Sequence, residues 1–431
     1  MIDWMERDKQ QRKPVLKVPS SLRVEVGEDG HMTLPPEVLD YYGLDASGEI
    51  QIDLTSNSLR LRRSVTRLAR VYIEPTDRCN LRCRTCIRNN WTEPLGRMSD
   101  ATFARIIAGL RAFPLPLSVF FGGFGEPLSH PHIIDMVTQA KRLGASVELI
   151  SNGTMLTEKM SRRLMDAGLD VLWVSLDGAT PESYEDVRLT EALPQIEENL
   201  ARFHALRLNS GAKTELAIAF VAMRSNVGDL PALLKLGSRL GVTRYSVSGV
   251  LPHTSEMCDE VLYRRSLMEG GSGISMWAPQ LSLPRMDFNE DTREALYQAL
   301  RSGRNMSFGG ANLSEGKNRC PFIEKGATAI SWAGHVTPCL PLLHEHVSYL
   351  EGRERISHRH IVGNVNNTDL HSIWLSPEYV AFRRRVQGFE YSPCTFCGGC
   401  NLSEDNKEDC SGNTFPTCGG CLWAQGVIQC P

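Results

Sequence analysis

The sequence predicts an α/β protein, a partial (β/α)6 TIM-type barrel with a small, mainly β module before it and a cysteine-rich domain after it. Three observations carry this. From Arg70 onward, apolar β-branched runs alternate with segments of helical period, the pattern of a parallel sheet wrapped by helices. Ahead of that point the apolar residues alternate in short strand-like runs, and nine of the 13 cysteines gather between Cys320 and Cys430. A chain of 431 residues accommodates roughly three domains of about 150 residues each.

Residues 1–19 are polar and basic (Lys9, Arg12, Lys13, Lys17) without an apolar face, and read as a solvated arm. Residues 20–65 carry strand runs at Leu22, Val24, Val26, at Ile50, Ile52, Leu54 and at Leu59, Leu61, with turns at Asp29-Gly30 and Ser56-Asn57. Pro35-Pro36-Glu37-Val38-Leu39, followed by Gly43, reads as a short helix with proline at its start and glycine past its end. In the barrel, residues 66–310, strands are expected at Val71–Pro75, Leu117–Gly122, Ser146–Ile150, Val171–Leu176, Glu215–Met223 and Arg244–Val250. Between them, Phe103, Ile106, Ile107 and Leu110 share a helical face, as do Leu230, Leu233, Leu234 and Gly237. Residues 311–431 form the last domain.

Charge excludes some partners. Lys plus Arg (47) nearly balance Asp plus Glu (50), for a net charge of −3, so no global basic field would hold nucleic acid or an anionic membrane. No stretch reaches the roughly 20 apolar residues of a membrane span, and Met1-Ile2-Asp3-Trp4 does not open a signal-peptide core. The expected location is cytoplasmic. There, reducing systems keep cysteines from forming structural disulfides, so 13 of them point to metal ligation.

The chemistry follows the strands, because βα barrels place catalytic groups on the loops at the C-terminal strand ends. Directly after the first strand comes Cys79-Asn80-Leu81-Arg82-Cys83-Arg84-Thr85-Cys86, three thiols on one compact loop that can bind three irons of a cubane and leave the fourth open. After the second lies Gly122-Gly123-Phe124-Gly125-Glu126-Pro127, after the third Ser151-Asn152-Gly153-Thr154, and after the fourth Ser175-Leu176-Asp177-Gly178, with Tyr184 and Arg188 beyond it. Over residues 70–255 these motifs resemble the radical S-adenosylmethionine (SAM) superfamily. The resemblance implies that Cys79, Cys83 and Cys86 carry a four-iron cluster whose open iron binds SAM. Gly123 and Glu126 would then receive the SAM amino group, Asn152 would lie in a SAM-contacting loop, and Ser175 and Arg188 would hold its carboxylate and ribose. Thr85 departs from the family, many members of which place an aromatic residue there. His253 and Glu256, beyond the sixth strand, are polar groups to which no acid or base role is assigned.

The cysteine-rich domain resembles the SPASM domain through Cys320, Gly334 and Cys339, the spacer Gly363-Asn364-Val365, Leu370, Ile373-Trp374 and Arg383, and a late group of Cys394, Cys397, Cys400, Cys410, Cys418, Cys421 and Cys430. That family carries two auxiliary four-iron clusters, giving three clusters in all. Cys320, Cys339 and Cys410 are expected on the first, and Cys394, Cys397 and Cys400 on the second. Cys418, Cys421 and Cys430 are left open, since two cubanes need eight thiolates and nine are present. The competing reading is a zinc ribbon of Cys394-x2-Cys397 with Cys418-x2-Cys421, which leaves five cysteines unexplained.

Two further resemblances concern partners. The tail around Asp409-Cys410-Ser411-Gly412-Asn413 and Cys421-Leu422-Trp423, together with Arg88, Trp91 and the Gly-Phe-Gly-Glu-Pro-Leu variant at Gly123–Leu128, is similar to the radical SAM maturases of tungsten-cofactor aldehyde oxidoreductases. It implies a tungsten enzyme or its pterin cofactor as substrate, and a ferredoxin- or flavodoxin-type reductant. A peptide-modifying SPASM maturase, thioether-forming or sulfatase-type, and a redox-responsive DNA-binding regulator are the alternatives. Gly30-His31-Met32-Thr33-Leu34-Pro35 resembles the AbrB-like swapped-hairpin module. Its flanking acids Glu25, Glu28 and Asp29 favour docking or a homodimer over DNA binding.

Overall fold

The computed structural model describes residues 28, 33–36, 38–39, 51–54, 59–91, 93–114, 116–264, 267, 281–283, 291–292, 306–308, 311–312, 318–350, 352–392, 394–395 and 400–431. Six parallel strands alternate with helices. They are β1 (Arg70–Ile73), β2 (Ser118–Phe121), β3 (Ser146–Ser151), β4 (Val171–Ser175), β5 (Glu215–Ala222) and β6 (Val242–Gly249). Between them run α1 (Asp100–Leu110), α2 (Ile133–Arg142), α3 (Glu158–Asp166), α4 (Pro181–Arg188), α5 (Leu193–Ser210) and α6 (Leu230–Arg239). All six strands fall on the expected runs. Among the described residues no strand pairs with the outer edge of β6, so the sheet is an open, partial barrel.

Period two along each strand sorts its side chains between two cores. Val71, Ile73, Val119, Phe121, Leu172 and Val174 pack outward with the helices, while Tyr72, Phe120, Trp173 and Ala217 face the lumen. Helix starts follow local chemistry: the Ser99 and Thr157 side chains accept backbone N–H bonds at α1 and α3, and Thr180 with Ser183 forms a capping box at α4. On α6 the buried face is Leu233, Leu236 and Gly237. Leu234, expected on that face, is 44% exposed because Leu236 takes its place one helical turn after Leu233.

The sheet continues past the six expected strands. β7 (Ala327–Ile330) pairs parallel to β1, and β8 (His335–Thr337) and β9 (Gly363–Asn364) follow antiparallel, giving the order β9-β8-β7-β1-β2-β3-β4-β5-β6. These strands come from the cysteine-rich region, which is thereby built onto the first barrel strand. Side chains lock the junction. Arg383 donates to the carbonyls of Val65 and Trp374 (2.7 Å each), its guanidinium centred 3.6 Å over the Trp374 ring, and the Trp374 indole donates to Thr66 (2.7 Å). Burial pushes the Arg383 pKa down to about 10.

Of the N-terminal module, Gln51–Leu54 and Leu59–Arg62 form the expected antiparallel hairpin, in register Ile52 to Leu61, and Val38 and Leu39 both donate to the Pro35 carbonyl as one helical turn. The other residues on which the swapped-hairpin reading rests lie outside the described set, Glu28 and Thr33–Pro35 excepted. Among the described residues, no helix is long and apolar enough to cross a membrane.

Candidate active site

The three-cysteine loop leaves β1 through Glu74-Pro75-Thr76-Asp77 and is tied down on several sides. Arg88 donates to the carbonyls of Asp77 (2.8 Å) and Leu81 (2.9 Å), and Asn89 to that of Cys83 (3.0 Å). The Arg84 backbone N–H donates to Val187 on α4 (2.8 Å), and its guanidinium pairs with Glu260 (2.8 Å). Cys79, Cys83 and Cys86 are thereby held on one short turn. Burial raises the Cys79 and Cys86 thiol pKa values, with Arg88 opposing it at Cys86.

Donors from the loop itself, from the loop after β3 and from α4 aim at these sulfurs. The Leu81 N–H lies 3.4 Å and Asn152 Nδ2 3.8 Å from Cys79 Sγ, and Arg188 Nη1 is 3.4 Å from Cys83 Sγ. Hydrogen bonds and a cation directed at sulfur suit thiolate ligands of an iron–sulfur cluster, whose iron keeps the thiols deprotonated. The donor set therefore fits the group that the sequence implies. Arg188 is held in place by Asp177 (2.6 Å). Burial opposes its charge, yet Asp177, Cys83 and Tyr184 together outweigh that and keep its pKa above the ordinary arginine value. Helix α4 stops directly after it, where Leu189 adopts φ 55°, a left-handed cap costing on the order of 1 kcal/mol for a non-glycine residue.

Glu126 is fully buried. Its carboxylate accepts the N–H groups of Leu128 (2.9 Å) and Asn152 (2.7 Å), joining the loops after β2 and β3. Burial raises its pKa, and those two donors offset only part of the effect. Glu126 and Arg188 thus bind protein groups, and Ser175 closes β4 half-buried. Gly123 has φ +117°, and a Cβ there would fall 2.8 Å from Glu74 Oε1, so only glycine lets the loop lie on Glu74. His253 is buried, its carbonyl accepting from Asn90 (2.6 Å), while Glu256 opens a 3-10 turn.

Sequence reasoning missed a second polar cluster at the same barrel mouth. Glu74 accepts from the Phe124 N–H (3.1 Å) and pairs with His344 Nε2 (2.9 Å), whose Nδ1 meets Glu93 (3.2 Å). Trp91 stacks on the imidazole at 4.1 Å. Burial opposes a charge on His344, but the two carboxylates prevail and its pKa is raised. The available signal was Glu74 itself, an acid at a C-terminal strand end.

Cys320, Cys339, Cys418 and Cys421 line one cavity in the cysteine-rich region. Burial pushes the Cys320 thiol up to about 12, Cys339 and Cys418 well above their ordinary value, and Cys421 upward. Buried thiols of this kind ionise when a metal supplies the counter-charge. Cys410, expected beside Cys320 and Cys339, lies elsewhere: its exposed sulfur meets Ser392 Oγ at 3.2 Å, two residues from Cys394. The loop after it is folded back by Asp409, which accepts the N–H groups of Ser392, Ser411 and Asn413 (3.0 Å each). Cys400 is half-buried, and Cys397 lies outside the described residues. Cys430 lies in an adjoining cavity with Tyr72, Phe322 and Lys325, Phe322 and Trp423 lining both cavities, and the Trp423 indole N–H lies 3.3 Å from its sulfur. Pairing Cys418 and Cys421 with Cys320 and Cys339 removes half of the zinc-ribbon ligand set.

An open parallel barrel with three thiols after its first strand, extended by a cysteine-lined domain, defines a radical SAM enzyme with an iron–sulfur cluster-binding domain. Family models agree, the Radical SAM superfamily matching residues 73–219 and the SPASM iron–sulfur cluster-binding domain residues 320–401. The chain belongs to the family of the tungsten-containing aldehyde ferredoxin oxidoreductase cofactor-modifying protein of Pyrococcus furiosus, to which it is 31% identical over 366 residues, 84% of this chain and 96% of that protein. It is also 28% identical over 181 residues to the AdoMet-dependent heme synthase of Methanosarcina barkeri, 42% of this chain and 50% of that one. Among solved structures, Streptococcus suis SuiB bound to its precursor peptide SuiA shares the fold at a TM-score of 0.51 and 16% identity, covering 77% of this chain and 70% of that one.

Proposed function

We propose that this enzyme modifies the tungsten cofactor of an aldehyde oxidoreductase, or the protein that holds it, by hydrogen abstraction. The observation that carries this is the 31% identity to a cofactor-modifying protein across 96% of that protein's length. Cys79, Cys83 and Cys86 hold the SAM-binding four-iron cluster, which supplies, when bound and reduced by a ferredoxin- or flavodoxin-type donor, cleavage of SAM to a 5′-deoxyadenosyl radical. Cys320, Cys339, Cys418 and Cys421 hold one auxiliary cluster, and Cys394, Cys397, Cys400 and Cys410 a second. Full thiolate ligation suits these two to electron transfer. Gly123, Glu126, Asn152, Ser175 and Arg188 shape the SAM site. Residues 20–65 serve docking or self-association, in a protein read as cytoplasmic.

The test is anaerobic reconstitution with SAM, a reductant and the purified tungsten enzyme, followed by mass analysis of cofactor and protein. A SAM-dependent mass change in either, matched by 5′-deoxyadenosine, is expected. Turnover with a cysteine-rich peptide and none with the tungsten enzyme would replace this reading by the peptide-modifying one.

Glu126 also gives a smaller, local expectation. Glu126→Ala strands the buried N–H groups of Leu128 and Asn152 and unties the two loops. SAM affinity should weaken by about 1.5–3 kcal/mol, the range for hydrogen bonds to a charged group, with iron content unchanged. Arg188→Ala should weaken SAM binding comparably, because it releases both Asp177 and Cys83. Isothermal titration with SAM checks both, and unaltered affinity in the pair would show that these loops lie away from SAM.

A further inference from the structure

We infer that Arg355 is the fixed positive charge shared by the two auxiliary cluster sites, and that it sets their reduction potentials. The inference rests on the cysteine assignment above. Arg355 lies on the second strand of the hairpin His346–Leu350 and Arg353–Ser357, which packs over the cysteine-rich loops. Its guanidinium is built in: Nε donates to the Ser403 carbonyl (2.7 Å), three residues after Cys400, and Nη1 to the Gly420 carbonyl (3.0 Å), immediately before Cys421. It also lines the cavity of Cys320, Cys339, Cys418 and Cys421.

The step Cys418-Gly419-Gly420-Cys421 shows how closely the two sites adjoin. A Cβ on Gly419 would fall 1.8 Å from the Ser392 carbonyl oxygen, on the chain that leads to Cys394, and one on Gly420 would fall 1.8 Å from Arg355 Nη2. The two glycines therefore let one ligand loop lie between the other cysteine set and the guanidinium. Burial lowers the Arg355 pKa, and Cys394 and Cys421, one from each set, oppose that effect. No ion pair to a carboxylate is found for Arg355 among the described residues, and the carbonyls that hold it flank ligand cysteines of both sets. Net charge and hydrogen bonding around the sulfurs are what set cluster potentials, and a nearby cation favours the form with one more electron.

The experiment is a redox titration followed by electron paramagnetic resonance, on the full chain reconstituted with iron and sulfide. The Cys79→Ala/Cys83→Ala/Cys86→Ala variant supplies the auxiliary signals alone. Two auxiliary signals in that variant uphold the assignment, and their absence would remove it whatever Arg355 does. With the signals present, Arg355→Gln should keep its iron and become about tenfold harder to reduce at one or both sites, a shift of 59 mV for one electron. Arg355→Lys, which keeps the charge, should stay within about threefold of the parent. Unmoved potentials in Arg355→Gln at full iron would overturn the inference, as would equal shifts in both variants. Should Arg355→Gln lose iron, Arg355→Lys decides: full iron with parental potentials supports the charge role, and loss of iron there too overturns it.

Discussion

Replacing Cys79, Cys83 and Cys86 together by alanine should remove about four of about twelve irons and abolish SAM cleavage, while the auxiliary irons stay. The loss is complete because these thiols alone leave one iron open for SAM. Their replacement also leaves Arg188 and the Asn152 amide without the sulfurs at which they aim, 3.4 and 3.8 Å away. The fold should survive, since the loop is held by bonds that bypass the sulfurs: Arg88 to Asp77 and Leu81, and Arg84 to Glu260. Iron by colorimetry and 5′-deoxyadenosine by chromatography are the measurements. A triple variant that keeps all its iron, or still forms 5′-deoxyadenosine, would refute the assignment.

The barrel and this loop were legible because each depends on neighbours in sequence. A run such as Val171–Ser175 announces a strand by its own composition, and Cys79, Cys83 and Cys86 sit within eight residues of one another, so their convergence needs no tertiary information. Long-range features were not legible. Glu74 and His344 meet across 270 residues of chain, and β7 joins β1 over a similar span. Glu74 alone reads as an acid at a strand end, and nothing in its sequence neighbours names His344 as its partner. The α6 face shows the limit within a single helix: Leu233 and Leu234 are equally apolar, and packing against the sheet decides which one turns to solvent. The loops after β2 and β3 were placed correctly at the mouth, yet Glu126 holds backbone N–H groups of its own loops in place, which a motif match does not reveal.

Cysteine bookkeeping shows the same division, and it yields the second large effect. Nine late cysteines in the sequence suffice for two cubanes with one thiol to spare, but spacing does not say which loops fold back on which. The structure puts Cys418 and Cys421 in the cavity of Cys320 and Cys339, and turns Cys410 toward Ser392 and the Cys394 loop. Cys430 is left at the Trp423 indole, near Lys325 and Arg70. Cys418→Ala/Cys421→Ala should therefore lose about four irons, and Cys394→Ala/Cys410→Ala about four others, each with one auxiliary resonance gone and the other retained. Cys430→Ala should lose none and keep SAM turnover, because Cys430 lies outside the cavity that Cys320, Cys339, Cys418 and Cys421 line. Loss of an auxiliary signal in Cys430→Ala, together with full iron in Cys410→Ala alone, would exchange Cys430 for Cys410 as a ligand. Stoichiometric zinc bound by the parent protein, with iron for a single cluster only, would dismiss the two-cluster arrangement altogether.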